Sequence, residues 1–77
     1  MNALQLRLAG MALRIEIRTY YTSKMQMTRE PAMKIITRLM GFDAYKEFGK
    51  GLQGRNNAFE WVNETLELNG LETLELT

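Results

Sequence analysis

Apolar and polar residues alternate strictly at the start of this chain, where Leu4, Leu6 and Leu8 are separated by Gln5 and Arg7. After Ala9-Gly10-Met11 the alternation resumes through Leu13, Ile15 and Ile17 and reaches Thr19 and Tyr21. Arg14, Glu16, Arg18 and Tyr20 take the other parity. A period of two is the mark of a strand with one buried face. The spacing predicts a β-hairpin of residues 3–9 and 12–22 that turns at Gly10. Leucine is a weak strand former, which makes the first strand the less favoured of the two.

The period changes further along. Thr28 is a suitable helix N-cap, and Pro31 falls in the first turn, where its missing N–H costs little. Ala32, Met33, Ile36, Leu39 and Met40 then recur at helical spacing up to Gly41, a left-handed stop. Glu30, Lys34 and Arg38 stand four apart on the opposite face. Together these predict a helix over 29–40. Phe42, Tyr45 and Phe48, behind a capping Asp43, predict a short helix over 42–48.

Gly49 to Asn57 reads as a flexible loop by composition. Asn57 with Glu60 resembles a capping box and would open a second main helix, ended by Asn69-Gly70 after Leu68. Phe59, Val62 and Leu66 line its apolar side, with Trp61 as a core anchor. Leu71 to Thr77 alternates again through Leu74 and Leu76, which predicts a short closing strand. The expected architecture is a single domain over 1–77, a small two-layer α+β fold. Its three-stranded sheet, in β-β-α-α-β order, carries the helices on one face.

Composition narrows the chemistry. The 77 residues contain no cysteine and no histidine. A thiolate nucleophile, a disulfide framework and a thiolate metal site are therefore excluded, as is a side chain that titrates near neutrality unperturbed. No cofactor and no metal site are expected, and a binding or regulatory protein is favoured over an enzyme. A short chain without disulfides or ligand histidines gains most from self-association or a partner. Zero cysteine suits a reducing cytoplasm. Residues 1–13 lack the form of a signal peptide, and no stretch resembles a membrane span.

Charge is segregated along the chain. Residues 1–55 hold all ten Lys and Arg against four acids, whereas residues 56–77 hold five glutamates and no base. Arg14, Arg18, Tyr20, Lys24, Arg29, Lys34 and Arg38 would form a basic, aromatic-bearing surface of the kind that binds nucleic acid. Alternatively they are ordinary solvated faces, with Glu72 and Glu75 of the closing strand lying across from the hairpin arginines. Glu60, Glu64 and Glu67 form an acidic stripe on the second main helix, a surface for a basic protein partner rather than a catalytic carboxylate pair.

Gly49-Lys50-Gly51-Leu52-Gln53-Gly54 satisfies G-x-G-x-x-G, but no strand precedes it and no βαβ unit can follow. Its last four residues resemble the GXXG loop of KH domains, which clamps a nucleic-acid backbone between two helices. That resemblance implies a single-strand nucleic-acid site made of Lys50, Gly51, Gly54 and Arg55, assisted by Arg14, Arg18 and Tyr20. The preferred expectation is a small non-enzymatic protein acting through protein–protein contacts, with homo-oligomerisation as one form of that. Its size, missing catalytic residue types and sorted charge resemble in character the accessory or inhibitor proteins of phages and plasmids, without a motif behind the likeness.

Overall fold

A computed structural model describes residues 3–20 and 31–76. Among these residues there are four α-helices and no strand: α1 (Ala3–Arg18), α2 (Ala32–Met40), α3 (Ala44–Phe48) and α4 (Gly51–Leu68). The α+β expectation, with its three-stranded sheet, is thus corrected to an all-helical fold. Residues 3–18 of the expected hairpin are one continuous helix, its residues 21 and 22 lie outside the described residues, and residues 71–76 of the closing strand are a tail without regular secondary structure. Helix α1 packs on α4 and α2, while α3 joins α2 to α4.

The error has a physical cause in α1, which is apolar on two faces. At about 100° of turn per residue, Leu6, Ala9 and Leu13 fall on one side and are buried. Leu4, Leu8, Met11 and Ile15 fall on the other and are exposed. Two helical stripes interleaved in this way produce Leu4-Leu6-Leu8 and Leu13-Ile15-Ile17, whose period matches a strand. Propensity pointed the other way, because Ala, Leu, Met, Arg and Gln are all strong helix formers.

Gly10 is mid-helix rather than a turn, and it is buried. A Cβ at this position would lie 2.6 Å from Leu74 Cδ1 and 2.9 Å from Val62 Cγ1. Glycine here lets α1, α4 and the tail approach one another. It is a packing device that resembles a turn signal when the sequence is read alone.

Helix α2 begins at Ala32; the first two residues of the predicted helix, Arg29 and Glu30, together with Thr28, lie outside the described residues. Pro31 stands at its N-cap and makes no side-chain cap bond. Instead the Ala32 N–H donates to Glu16 Oε2 at 2.6 Å, so α1 caps α2 through tertiary structure. The Arg55 Nε–H donates to Glu16 Oε1 at 2.8 Å from α4. A carboxylate at a helix N-terminus complements the helix dipole, and the arginine offsets the cost of burying its charge. One glutamate thereby joins three helices.

The predicted stop of α2 and the predicted cap of α3 are observed, although α3 starts at Ala44 rather than at residue 42. Gly41 closes α2 with φ 75°, and the Asp43 side chain accepts from the Tyr45 N–H at 3.0 Å. Thr37 links the two, accepting from the Ala44 N–H at 2.9 Å. Met33 is fully buried and Met40 half-buried, while Met25 and Met27 lie outside the described residues.

Helix α4 starts well before the predicted capping box. Residues 51–57 are helical, not a loop. Gly54 is buried against the backbone of Gly49, and a Cβ there would run into the Gly49 carbonyl. Asn57 caps a different helix from the expected one, donating from Nδ2 to the Phe48 carbonyl at 2.8 Å at the end of α3. The C-terminal boundary was legible: Gly70 has φ 71°, and the Leu71 N–H bonds to the Leu66 carbonyl at 2.9 Å.

The tail then runs back over α4 and α1. Leu74 is buried, and Asn63 grips its backbone on both sides. Asn63 Nδ2 donates to the Leu74 carbonyl at 2.9 Å, and Oδ1 accepts the Leu74 N–H at 2.8 Å. Arg7 and Arg14 donate to the carbonyls of Glu72 and Glu75 at 2.8 and 3.3 Å. Backbone groups that a sheet would have paired are taken here by helix side chains.

Candidate interaction surface

Tyr20, Lys50, Gly51 and Arg55 gather where α1 ends and α4 begins. The Arg55 guanidinium lies over the Tyr20 ring, 5.9 Å from its centroid. The Tyr20 hydroxyl is 3.1 Å from where a Gly51 Cβ would stand. Lys50 is exposed at the N-cap of α4. The Arg55 donors, however, are engaged inward: Nε holds Glu16, and Nη1 donates to the Gly51 carbonyl at 3.1 Å.

Gly51 and Gly54 both belong to the opening of α4, so the GXXG stretch does not form a loop between helices. Gly54 turns its only open side to the Gly49 backbone. Arg14 stays apart from this group, tied to the tail at Glu75. Arg18 is exposed in the last turn of α1. Lys34 and Arg38 are exposed on α2, while Lys24 and Arg29 lie outside the described residues. The predicted basic surface is thus divided, with part committed to internal bonds.

Glu60, Glu64 and Glu67 are all exposed on α4. Glu64 and Glu67, with Leu68, line a shallow open depression of about 380 Å³. Phe42, Phe48 and Trp61 form a half-buried aromatic cluster with ring centroids 5.7–6.2 Å apart, in edge-on and tilted contacts. Trp61 therefore flanks the core rather than filling it. Among the described residues no group of three or more acidic side chains is placed to hold a metal ion.

The feature that pattern reading missed is the outer face of α1. Leu4, Leu8, Met11 and Ile15 remain 66, 54, 39 and 42% exposed. They stand four, three and four residues apart, the spacing of a helix–helix seam. That spacing was visible in the sequence, masked by the buried stripe interleaved with it. A helix apolar on both sides normally has both sides covered, and here one side is not. Arg7, Arg14 and Arg18 run along one edge of the stripe, with Gln5, Ala12 and Thr19 along the other, as the helical repeat places them.

No described helix is long and apolar enough to cross a membrane. Comparison with protein-family models, with curated proteins and with solved structures found no significant match to this chain.

Proposed function

We propose that this chain is a small non-enzymatic binding protein of a cytoplasmic setting that acts through protein–protein contact, with the outer face of α1 as its working surface. The observation that carries this reading is the exposed row Leu4, Leu8, Met11 and Ile15, set opposite a fully packed face of the same helix. Contiguous apolar surface on a small water-facing helix marks an interaction site. The absence of His and Cys supports binding over catalysis. The acidic stripe of Glu60, Glu64 and Glu67 is a secondary contact for a basic partner, which would act mainly on association rate.

The nucleic-acid alternative has less support. Arg55 is bonded to Glu16 and Gly51, Arg14 is bonded to the tail, and the GXXG residues are helical. The experiment is a pair of variants, Leu8→Glu on the outer face and Lys50→Ala at the head of α4. Both should retain the helical spectrum and cooperative melting of the parent. Leu8→Glu should abolish capture of a partner by the tagged protein from nuclease-treated extract of its native cells, and Lys50→Ala should leave it intact. The opposite pattern, with capture sensitive to nuclease and to Lys50, would overturn the reading.

A further inference from the structure

Asn63 holds the tail in the way a receptor holds a peptide. Its Oδ1 accepts the Leu74 N–H at 2.8 Å and its Nδ2 donates to the Leu74 carbonyl at 2.9 Å, so one side-chain amide satisfies both main-chain groups of a single residue. Main-chain bonds of this kind supply affinity whatever side chains the bound segment carries. Arg7 and Arg14 act alike on either side, donating to the carbonyls of Glu72 and Glu75. Past Leu71, therefore, the tail's main chain is held by helix side chains. None of these bonds requires covalent continuity between the tail and α4.

Selectivity comes from one position. Leu74 is buried, whereas Glu72, Thr73 and Glu75 are exposed and Leu71 and Leu76 are half-buried. Leu74 Cδ1 lies over Gly10 and beside Val62, in space that a Cβ at position 10 would take. Glycine weakens a helix interior. Here it opens the floor of a leucine-sized slot between α1 and α4.

We propose that this groove, floored by Gly10 and Val62 and edged by Arg7, Arg14 and Asn63, is a peptide-binding site that the tail keeps closed. Its ligand is a non-helical segment of a partner protein with leucine at the position that Leu74 occupies. The tail is both strap and template. Its contacts define what the groove recognises: main-chain N–H and C=O groups around one leucine side chain, with apolar residues favoured three before and two after it.

The strap leaves α4 through Asn69 and Gly70, the latter at φ 71°. So short a tether holds the tail at an effective concentration on the order of millimolar. A partner segment enters only where it binds more tightly than the tail or where the tail is drawn off. The groove lies on the inner side of α1, away from Leu4, Leu8, Met11 and Ile15. It stands or falls separately from the outer face.

The probe is a fluorescein-labelled peptide with the sequence of residues 71–77, titrated with the full chain by fluorescence polarisation. Two substitutions open the strap by different routes. Leu74→Ala empties the slot, and Gly70→Val strains the turn, because φ 71° disfavours a branched side chain although no atom stands within 4 Å of its Cβ. Both should keep the helical circular dichroism of the parent and lose exchange protection at the residue-74 amide. Both should bind the peptide at least about tenfold more tightly than the parent, whose own tail competes. The same peptide carrying Leu74→Ala should not bind, and Asn63→Ala added to the opened chain should weaken binding about tenfold. Leu8→Glu added there should change nothing, which separates this groove from the outer face. Where Gly70→Val leaves the tail seated, Leu74→Ala decides. Chains that unfold with the tail, that keep it protected in both variants, or that open and bind no peptide up to about 1 mM would each overturn the proposal. A parent that dimerises with rising concentration, and loses the dimer on Leu74→Ala, would give the groove to the tail of a second copy instead of a partner.

Discussion

The two faces of α1 both carry large apolar side chains and are opposite in role. The inner face presents Leu6, Ala9, Gly10, Leu13 and Glu16 to α4, α2 and the tail, and every one of these residues is buried. The outer face presents Leu4, Leu8, Met11 and Ile15 to solvent. Hydrophobicity alone does not separate them. Small residues at positions 9 and 10 let the inner side be approached closely, and Glu16 gives it a polar anchor. The outer side has neither, only a row of large side chains. Inner substitutions should therefore change the stability of the single chain, whereas outer ones should change only what it associates with.

The sharpest test of this contrast is Leu13→Ala, since Leu13 is fully buried. Urea unfolding should show a loss of about 3 kcal/mol. The same substitution at Leu8 should cost less than about 0.5 kcal/mol, the range of surface changes. Equal losses at the two sites would erase the distinction between the faces.

Arg55→Ala removes the partner of a buried carboxylate and should destabilise by about 3 kcal/mol, comparable to the core truncation or slightly below it. Glu16 retains the Ala32 N–H, so part of its compensation survives. The loss should be accompanied by faster hydrogen exchange at the start of α2, because the same carboxylate caps that helix. Exchange that accelerates only in α4 would disconnect the pair from the cap.

Gly10→Val tests close approach on the inner face. The added side chain meets Leu74 and Val62 and should cost about 2 kcal/mol by overpacking. Leu74 is the more yielding neighbour, so tail amides should lose exchange protection before those of α4. Asn63→Ala should have the smallest effect on the inner side, about 1 kcal/mol, through the loss of two bonds to Leu74. Its signature is increased exchange at the Leu74 amide with α1 unaffected. A tail that remains protected would place its anchorage in Leu74 burial alone.

How much of this was legible depended on how local each signal was. Gly41, Asp43 and Gly70 were readable because a left-handed glycine or a capping aspartate acts within one turn of its own position. The start of α4 was not readable, because Gly51, Gly54 and Asn57 carry loop composition for tertiary reasons. Gly54 clears the Gly49 backbone, and Asn57 closes a neighbouring helix. Of the candidate site residues, Tyr20, Gly51 and Arg55 do come together, yet Arg55 faces inward to Glu16. The sequence offers no sign of that pairing, which joins residues 39 positions apart.

By itself the sequence determined the inventory and the punctuation. It established a chain without thiol or imidazole, basic in its first part and acidic in its last, with the stop of α2 at Gly41 and the start of α3 at Asp43 set by short-range caps. The apolar pattern left residues 3–18 open between strand and helix, and tertiary structure decided for the helix that their propensity favours. A one-dimensional pattern records which positions are apolar but not which neighbours cover them, and two interleaved helical stripes give the same record as one strand. Only the packing of α4, α2 and the tail on a single side of α1 separates the stripes, and that packing leaves the outer one exposed.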